Sequence, residues 1–276
     1  MTGFAPNGTR LVEHLGIGTV FEVALVLDQE GRELVCKRVA PGAKIACGDA
    51  PLERERDVLL AVKSPHLADL VAWGSDDRGG FVLQARARGT AVRQLIGEGV
   101  QPLNGTKWLD LARASARALA ALHSARDQRG ELLFVHGDVS PDNLFFEEPG
   151  GATLIDLSNA TFRDGREPVF VGAIGTVPYA APEIVRGEVA ASAETDTYAL
   201  AATLLAVAVG PLELPTTEAS RLFEVGSRGI SAERIERRSD LPARARAAIA
   251  HALLFDRARR LASSRELADE FQNQVG

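Results

Sequence analysis

His136-Gly-Asp-Val-Ser-Pro-Asp-Asn143, followed by Leu144-Phe-Phe and then by Thr153-Leu-Ile-Asp156, gathers an imidazole, carboxylates and an amide in one short stretch. Leu144-Phe-Phe and Thr153-Leu-Ile are apolar runs with aromatic or β-branched members. Glu147-Glu-Pro-Gly-Gly151 separates them, so the spacing predicts a β-hairpin with a loop of about five residues. A hairpin brings its ends together: Asn143 at the entrance and Asp156 at the exit sit side by side, with Asp138 one short loop upstream. Carboxylate and amide oxygens clustered at a strand end suit Mg²⁺, a hard cation that shares its coordination with substrate phosphates. Asp138 is then left to face a hydroxyl, and the stretch reads as a phosphoryl-transfer centre. A single Asp or Asn beside a strand usually does no more than satisfy a turn. The restrictive feature is the order His-x-Asp, four residues, Asn, hairpin, Asp.

The elements that must carry this stretch follow from the rest of the chain. Its 276 residues, 46% hydrophobic and 25% charged, suit one large domain or two lobes with real cores. The formal net charge of −6 and the scattered basic residues argue against nucleic acid or an anionic membrane surface as partner. Cys36 and Cys47 lack metal-ligand spacing and suit a reducing, cytoplasmic setting. Met-Thr-Gly-Phe-Ala-Pro-Asn-Gly at the start has no basic region before an apolar core, so no secretion signal is expected. The most apolar run, Tyr198 to Val209, is shorter than the roughly 20 residues that span a bilayer and reads as a buried helix.

Leu11 to Leu27 suggests two strands around Leu15-Gly-Ile-Gly18, and a third runs over Glu33-Leu-Val-Cys-Lys37-Arg-Val39. Lys37 sits inside that apolar strand, where an unpaired ammonium would be costly, so it needs an anionic partner or a path to solvent. Pro51 to Val62 is helical in pattern with acids early, and Glu53 and Glu55 are the candidate partners. Leu70-Val-Ala-Trp-Gly and Phe81-Val-Leu-Gln-Ala-Arg predict two more strands joined by a turn over Ser75 to Gly80. Ala85-Arg-Ala-Arg-Gly89 suits a linker. Helices follow: Val92–Glu98, Trp108 to His123 with a broad apolar stripe, Pro242 to Phe255 and Ser264 to Phe271, while Ser124 to Glu131 is polar and expected at the surface.

The order of motifs over about residues 10 to 272 resembles the eukaryotic-like, Hanks-type serine/threonine protein kinases, and the Val-Ser-Pro-x-Asn variant is similar to the bacterial members. The resemblance implies an α+β, two-lobed fold: a small antiparallel β-sheet lobe with one main helix (10–84), a hinge (85–89) and a mostly helical lobe (90–272), all one kinase domain. It implies ATP and Mg²⁺ as cofactors and a protein as the second substrate. Asp138 would orient or deprotonate the acceptor hydroxyl, and Asn143 and Asp156 would hold the metal. Gly16, Gly18 and Val23 match a glycine-rich loop over the phosphates, with Phe21 where the third glycine stands. Lys37 would contact the α- and β-phosphates. Ser64-Pro65-His66-Leu67 resembles the His-Pro-x-Ile after the kinase helix, and counting back favours Glu55 as partner of Lys37. Gln84 would stand at the back of the nucleotide pocket, and the backbone of Ala85 and Ala87 would pair with adenine.

Gly172-Ala-Ile-Gly-Thr-Val-Pro-Tyr-Ala-Ala-Pro-Glu183 is similar to the end of a kinase activation segment, where Thr176 would reach the catalytic Asp. Asp196 corresponds to the residue that hydrogen-bonds the catalytic-loop backbone, and Asp256-Arg-Ala-Arg-Arg260 implies a Glu183–Arg260 salt bridge. Three departures stand out: Gly137 for the Arg beside the catalytic Asp, Ser140 for the Lys that contacts the γ-phosphate, and Leu157-Ser158 for the usual Phe-Gly after the metal-binding Asp. Loss of the Arg removes the basic pocket for an activation-loop phosphate, so an enzyme assembled without that switch is expected, and loss of the Lys charge at the transferring group implies a slow one. The alternatives are a pseudokinase acting as a nucleotide-binding or scaffold module, and a small-molecule phosphotransferase. The latter class also uses His-Gly-Asp-x-x-x-x-Asn but lacks the Gly-Thr-x-x-Tyr-x-Ala-Pro-Glu segment.

Overall fold

The computed structural model describes residues 4–18, 20–97, 99–126, 130, 134–162, 176–212, 219–261 and 263–272. Gly172 to Gly175 and half of the connection 124–131 lie outside them, as does the side chain of Cys47.

Five strands form the small lobe: β1 Arg10–Ile17, β2 Phe21–Leu27, β3 Glu33–Val39, β4 Leu70–Asp76 and β5 Gly79–Ala85, antiparallel in the order β1-β2-β3-β5-β4. Period-two alternation sorts their side chains. Ala24, Val26, Leu34, Cys36 and Leu83 pack on one face beneath Phe4, whereas Phe21, Val39 and Val82 face the helical side with Leu52. Two helices lie between β3 and β4: α1 Pro41–Cys47 and the longer α2 Ala50–Ala61. The short α1 was not expected, because a Pro-Gly start and seven residues leave no periodic stripe to read. The β4–β5 turn is tighter than Ser75–Gly80: the strands run on to Asp76 and Gly79, and Gly79 supplies the left-handed backbone (φ +101°) that closes it.

After the irregular stretch 86–89, β6 Thr90–Ala91 pairs with β8. Of the helix expected over 92–98 the described residues form only a 3₁₀ turn, Val92–Leu95, and Glu98 lies outside them. Arg93 N–H donates out of the turn to Pro141 O (2.9 Å), and Gly97 and Gly99 follow it, so the stretch has neither the bonds nor the residues to propagate.

The large lobe is organised by α3 Gly105–His123 and α5 Ala193–Val209. Every residue from Thr195 to Ala208 is buried, as an all-round apolar helix requires. A reciprocal Ser192–Thr195 capping box starts α5. Trp108 Nε1–H donates to Leu204 O (3.0 Å), tying α3 to α5. Around this pair lie β7 Phe134–Val135, β8 Leu144–Glu147, β9 Gly151–Leu154, β10 Thr161–Phe162, α4 Pro182–Val185, α6 Ala219–Arg228, α7 Ala243–Ala252 and α8 Ser264–Gln272. β7 pairs with β10, and two 3₁₀ turns, Glu233–Arg237 and Arg257–Arg259, flank α7. Trp108 meets Phe271 of α8 edge to face at 5.9 Å. Among the described residues no helix is long and apolar enough to cross a membrane.

Candidate active site

The hairpin of β8 and β9 forms as the spacing predicts, with Leu144 opposite Leu154. The strands extend inward to Glu147 and Gly151, so the turn is shorter than five residues. Ile155 N–H donates to Asn143 O (3.0 Å), which sets Asn143 and Asp156 at paired strand ends. The same hairpin meets the small lobe: Leu154 N–H donates to His66 O (2.9 Å).

Asp138 is held on both sides. Thr176 Oγ1 donates to its Oδ1 (2.9 Å), and Asn143 Nδ2 donates to its Oδ2 (3.2 Å) and backbone O (3.0 Å). Burial pushes the Asp138 carboxyl above the usual carboxylate range. Nearby His136 and the Thr176 bond work the other way, and Asp156 adds to the rise.

In β3, Lys37 lies opposite Val23 on one side and Val82 on the other and points, like Val39, to the side of α2. It is 4% exposed and its Nζ donates to Glu55 Oε1 (2.7 Å), so Glu55, fully buried, is its partner. Glu53 is exposed. Asp156 Oδ1 lies 4.0 Å from Nζ. Burial works against the charge of Lys37, but Glu55 and then Asp156 outweigh it and raise its affinity for the proton. For Asp156 burial is likewise overcome, by Lys37 and by Ser158, and its carboxyl is held below the usual range. Phe21 accounts for the missing third glycine. Its ring is buried against Val39 and Leu52 with Lys37 Nζ 5.1 Å from its centroid, so it caps the lysine rather than lining the loop tip.

Gln84 is 3% exposed and its Nε2 donates to Glu55 Oε1 (2.7 Å), placing it behind the ion pair. Ala85 N–H already donates to Asp69 O (2.8 Å). Ala87, in the stretch that follows, has its N–H uncommitted among the described residues. Gly16 pairs with Val23 and Gly18 N–H donates to Phe21 O (2.8 Å), so the glycines shape the β1–β2 turn.

Asn143 and Asp156 fit a divalent cation by their chemistry: hard oxygens at one strand-end junction. The amide nitrogen of Asn143 is spent on Asp138, which leaves its carbonyl oxygen as the free end. Asp156 Oδ2 accepts no hydrogen bond among the described residues, and the side chain is 33% exposed.

Gly137 has φ +79°, and a Cβ there would stand 2.5 Å from Asn159 O. The position therefore requires glycine for its backbone, beyond any loss of charge. Ser140 is fully buried with its Oγ unpartnered, so it offers no cation to a phosphate. Asp196 accepts from His136 N–H (2.8 Å) and Gly137 N–H (2.9 Å), as expected, and Arg260 grips Glu183 through two bonds (2.6 and 3.2 Å).

One site-supporting residue was missed. His123, at the end of α3, sits 2.9 Å from Asp196 Oδ2 through Nε2 and 2.9 Å from Ser264 Oγ through Nδ1. The available signal was a polar residue closing an apolar helical stripe.

The description "Protein kinase domain" belongs to the family model that matches residues 9–272. Relatives include chitin elicitor receptor kinase 1 of Arabidopsis thaliana, 27% identical over 67% of this chain and 30% of its own length. Serine/threonine-protein kinase PknD of Mycobacterium tuberculosis is 28% identical over 71% of this chain and 28% of its own. Rhodopsin kinase GRK7 of Homo sapiens is 27% identical over 71% and 34%. The chain thus spans about a third or less of the length of these relatives.

Proposed function

The chain belongs to the protein kinase domain family, and from that premise we propose that it transfers the γ-phosphate of ATP to Ser/Thr hydroxyls of a protein. The observation that carries the proposal is the pair of assembled clusters: Lys37–Glu55 beside Asp156, and Asp138 held between Thr176 and Asn143.

In this reading the chain's groups divide the work. Glu55 fixes the Lys37 ammonium at a buried point, from which it neutralises charge on the α- and β-phosphates. Asn143 and Asp156 would hold Mg²⁺, which would withdraw charge from the phosphate oxygens. Asp138 Oδ1 and Oδ2, positioned by Thr176 and Asn143, accept a hydrogen bond from the incoming hydroxyl and then its proton. Ala87 N–H meets the adenine edge, while Gln84 and Phe21 close the pocket around Glu55 and Lys37. Because Gly137 offers no cation to an activation-loop phosphate, the site runs without that switch. A cytoplasmic setting and a bacterial origin belong to the same proposal.

Ser140, buried and uncharged, favours a second reading in which the chain binds nucleotide as a pseudokinase module. The two separate in one experiment: incubation with Mg²⁺ and γ-labelled ATP, alone and with a generic basic protein, beside Asp138→Asn and Lys37→Met. Label on Ser or Thr that disappears in both variants supports the enzyme. A nucleotide-induced thermal shift without any label supports the module.

A further inference from the structure

Ser158 stands where the resembled kinases carry a glycine, and in this chain it has acquired a specific contact. Its Oγ donates to Asp156 Oδ1 (2.9 Å), and its N–H approaches the same oxygen (3.4 Å). The side chain is 6% exposed. Its neighbours anchor the donors: Leu157 is 1% exposed within the large core, and Ala160 N–H closes a turn onto Leu157 O (3.1 Å). Asp156 itself has φ +62°, the one positive φ outside glycine among the described residues. That conformation is uncommon for a side-chain-bearing residue and persists where its surroundings over-determine it.

We infer that Ser158 is a positioning residue for the metal ligand: it pins Oδ1 of Asp156 so that Oδ2 is presented to Mg²⁺. The inference rests on the phosphoryl-transfer reading above. Its physical basis is a competition for one carboxylate. Asp156 is one-third exposed and can rotate, and the Lys37 ammonium lies 4.0 Å from Oδ1. A carboxylate swung fully onto Lys37 would form a buried ion pair and withdraw both oxygens from a cation. With Oδ1 already accepting from a neutral hydroxyl fixed in the core, and Lys37 bonded to Glu55 at 2.7 Å, that collapse gains less, because it must break the Ser158 bond. The metal then meets a preformed ligand and does not have to reorganise it.

The test separates metal binding from nucleotide binding in the full chain. ADP affinity is measured by calorimetry with and without Mg²⁺ for the wild type, Ser158→Ala and Ser158→Gly, with thermal melting to confirm that each variant is folded. The wild type should bind ADP more tightly with Mg²⁺, and a wild type with no such tightening overturns the assignment. Each variant should lose on the order of tenfold of that tightening, the value of one hydrogen bond to a charged group, while metal-free ADP binds as before. An undiminished Mg²⁺ effect in both variants, or a parallel loss of metal-free binding, overturns the assignment and leaves the kinase reading standing. A wild type that binds ADP under neither condition overturns both.

Discussion

His123 Nε2–H donates to Asp196 Oδ2 at 2.9 Å, on the same carboxylate that takes the backbone N–H groups of His136 and Gly137. The end of α3 and the start of α5 thus meet beneath the loop that carries Asp138. His123→Ala should lower stability by about 1–3 kcal/mol, the cost of a lost buried bond to a charged group. It should also lower kcat more than it raises KM for ATP, because the loop under Asp138 loses its brace. Thermal melting with steady-state kinetics checks this, and an unchanged kcat would refute it.

Lys37 and Glu55 form a buried ion pair, so removing one partner strands the other. Lys37→Met should cost about 3–5 kcal/mol. The double variant Lys37→Met/Glu55→Leu should cost less than the sum of the two single changes, because neither member of the pair is left to strand the other. Urea unfolding of the four proteins gives the coupling directly.

Gly137→Ala should destabilise the fold by at least about 1–2 kcal/mol, the cost of a left-handed residue with a Cβ, with the close approach of Asn159 O added to it. Gly137→Arg should not raise activity. A faster, equally stable Gly137→Arg protein would show that the glycine is only a lost charge.

Burial pushes the Cys36 thiol up to about 12, where almost no thiolate exists near neutrality. In a Cys47→Ser background, iodoacetamide at pH 8 should leave the native protein unmodified and label it fully in urea. Labelling at the native rate of a free thiol would contradict the burial.

The Arg38 guanidinium, bonded to Asp76 at 3.0 and 2.5 Å, holds that carboxyl below the usual range. A depressed carboxylate contributes stability above its unfolded value, about 3.9 for Asp, and loses it as pH falls through the lower folded value. Asp76→Asn should therefore be less stable than the wild type near neutrality, and the two melting curves should converge in acid. Parallel curves from neutral to acid pH would count against the linkage.

What the sequence determined by itself was whatever rests on order and local pattern. The hairpin between Asn143 and Asp156, the five strands of the small lobe and the apolar helix that begins near Asp196 were legible, because strand and helix periods are properties of neighbours along the chain, whereas the pairs Lys37–Glu55 and Glu183–Arg260 were implied by the resemblance of the motif order to the kinase family. Tertiary structure decided the rest. Residues 92–97 fell short of a helix because Arg93 found Pro141 across space. Gly137 proved a backbone requirement, since only the fold brings Asn159 O against it. His123 and Ser158 acquired roles because α5 and the Leu157 turn deliver Asp196 and Asp156 to them. Such contacts join groups whose separation along the chain carries no periodic signal, or whose geometry depends on a left-handed turn at one residue, and they exist only once the core has closed.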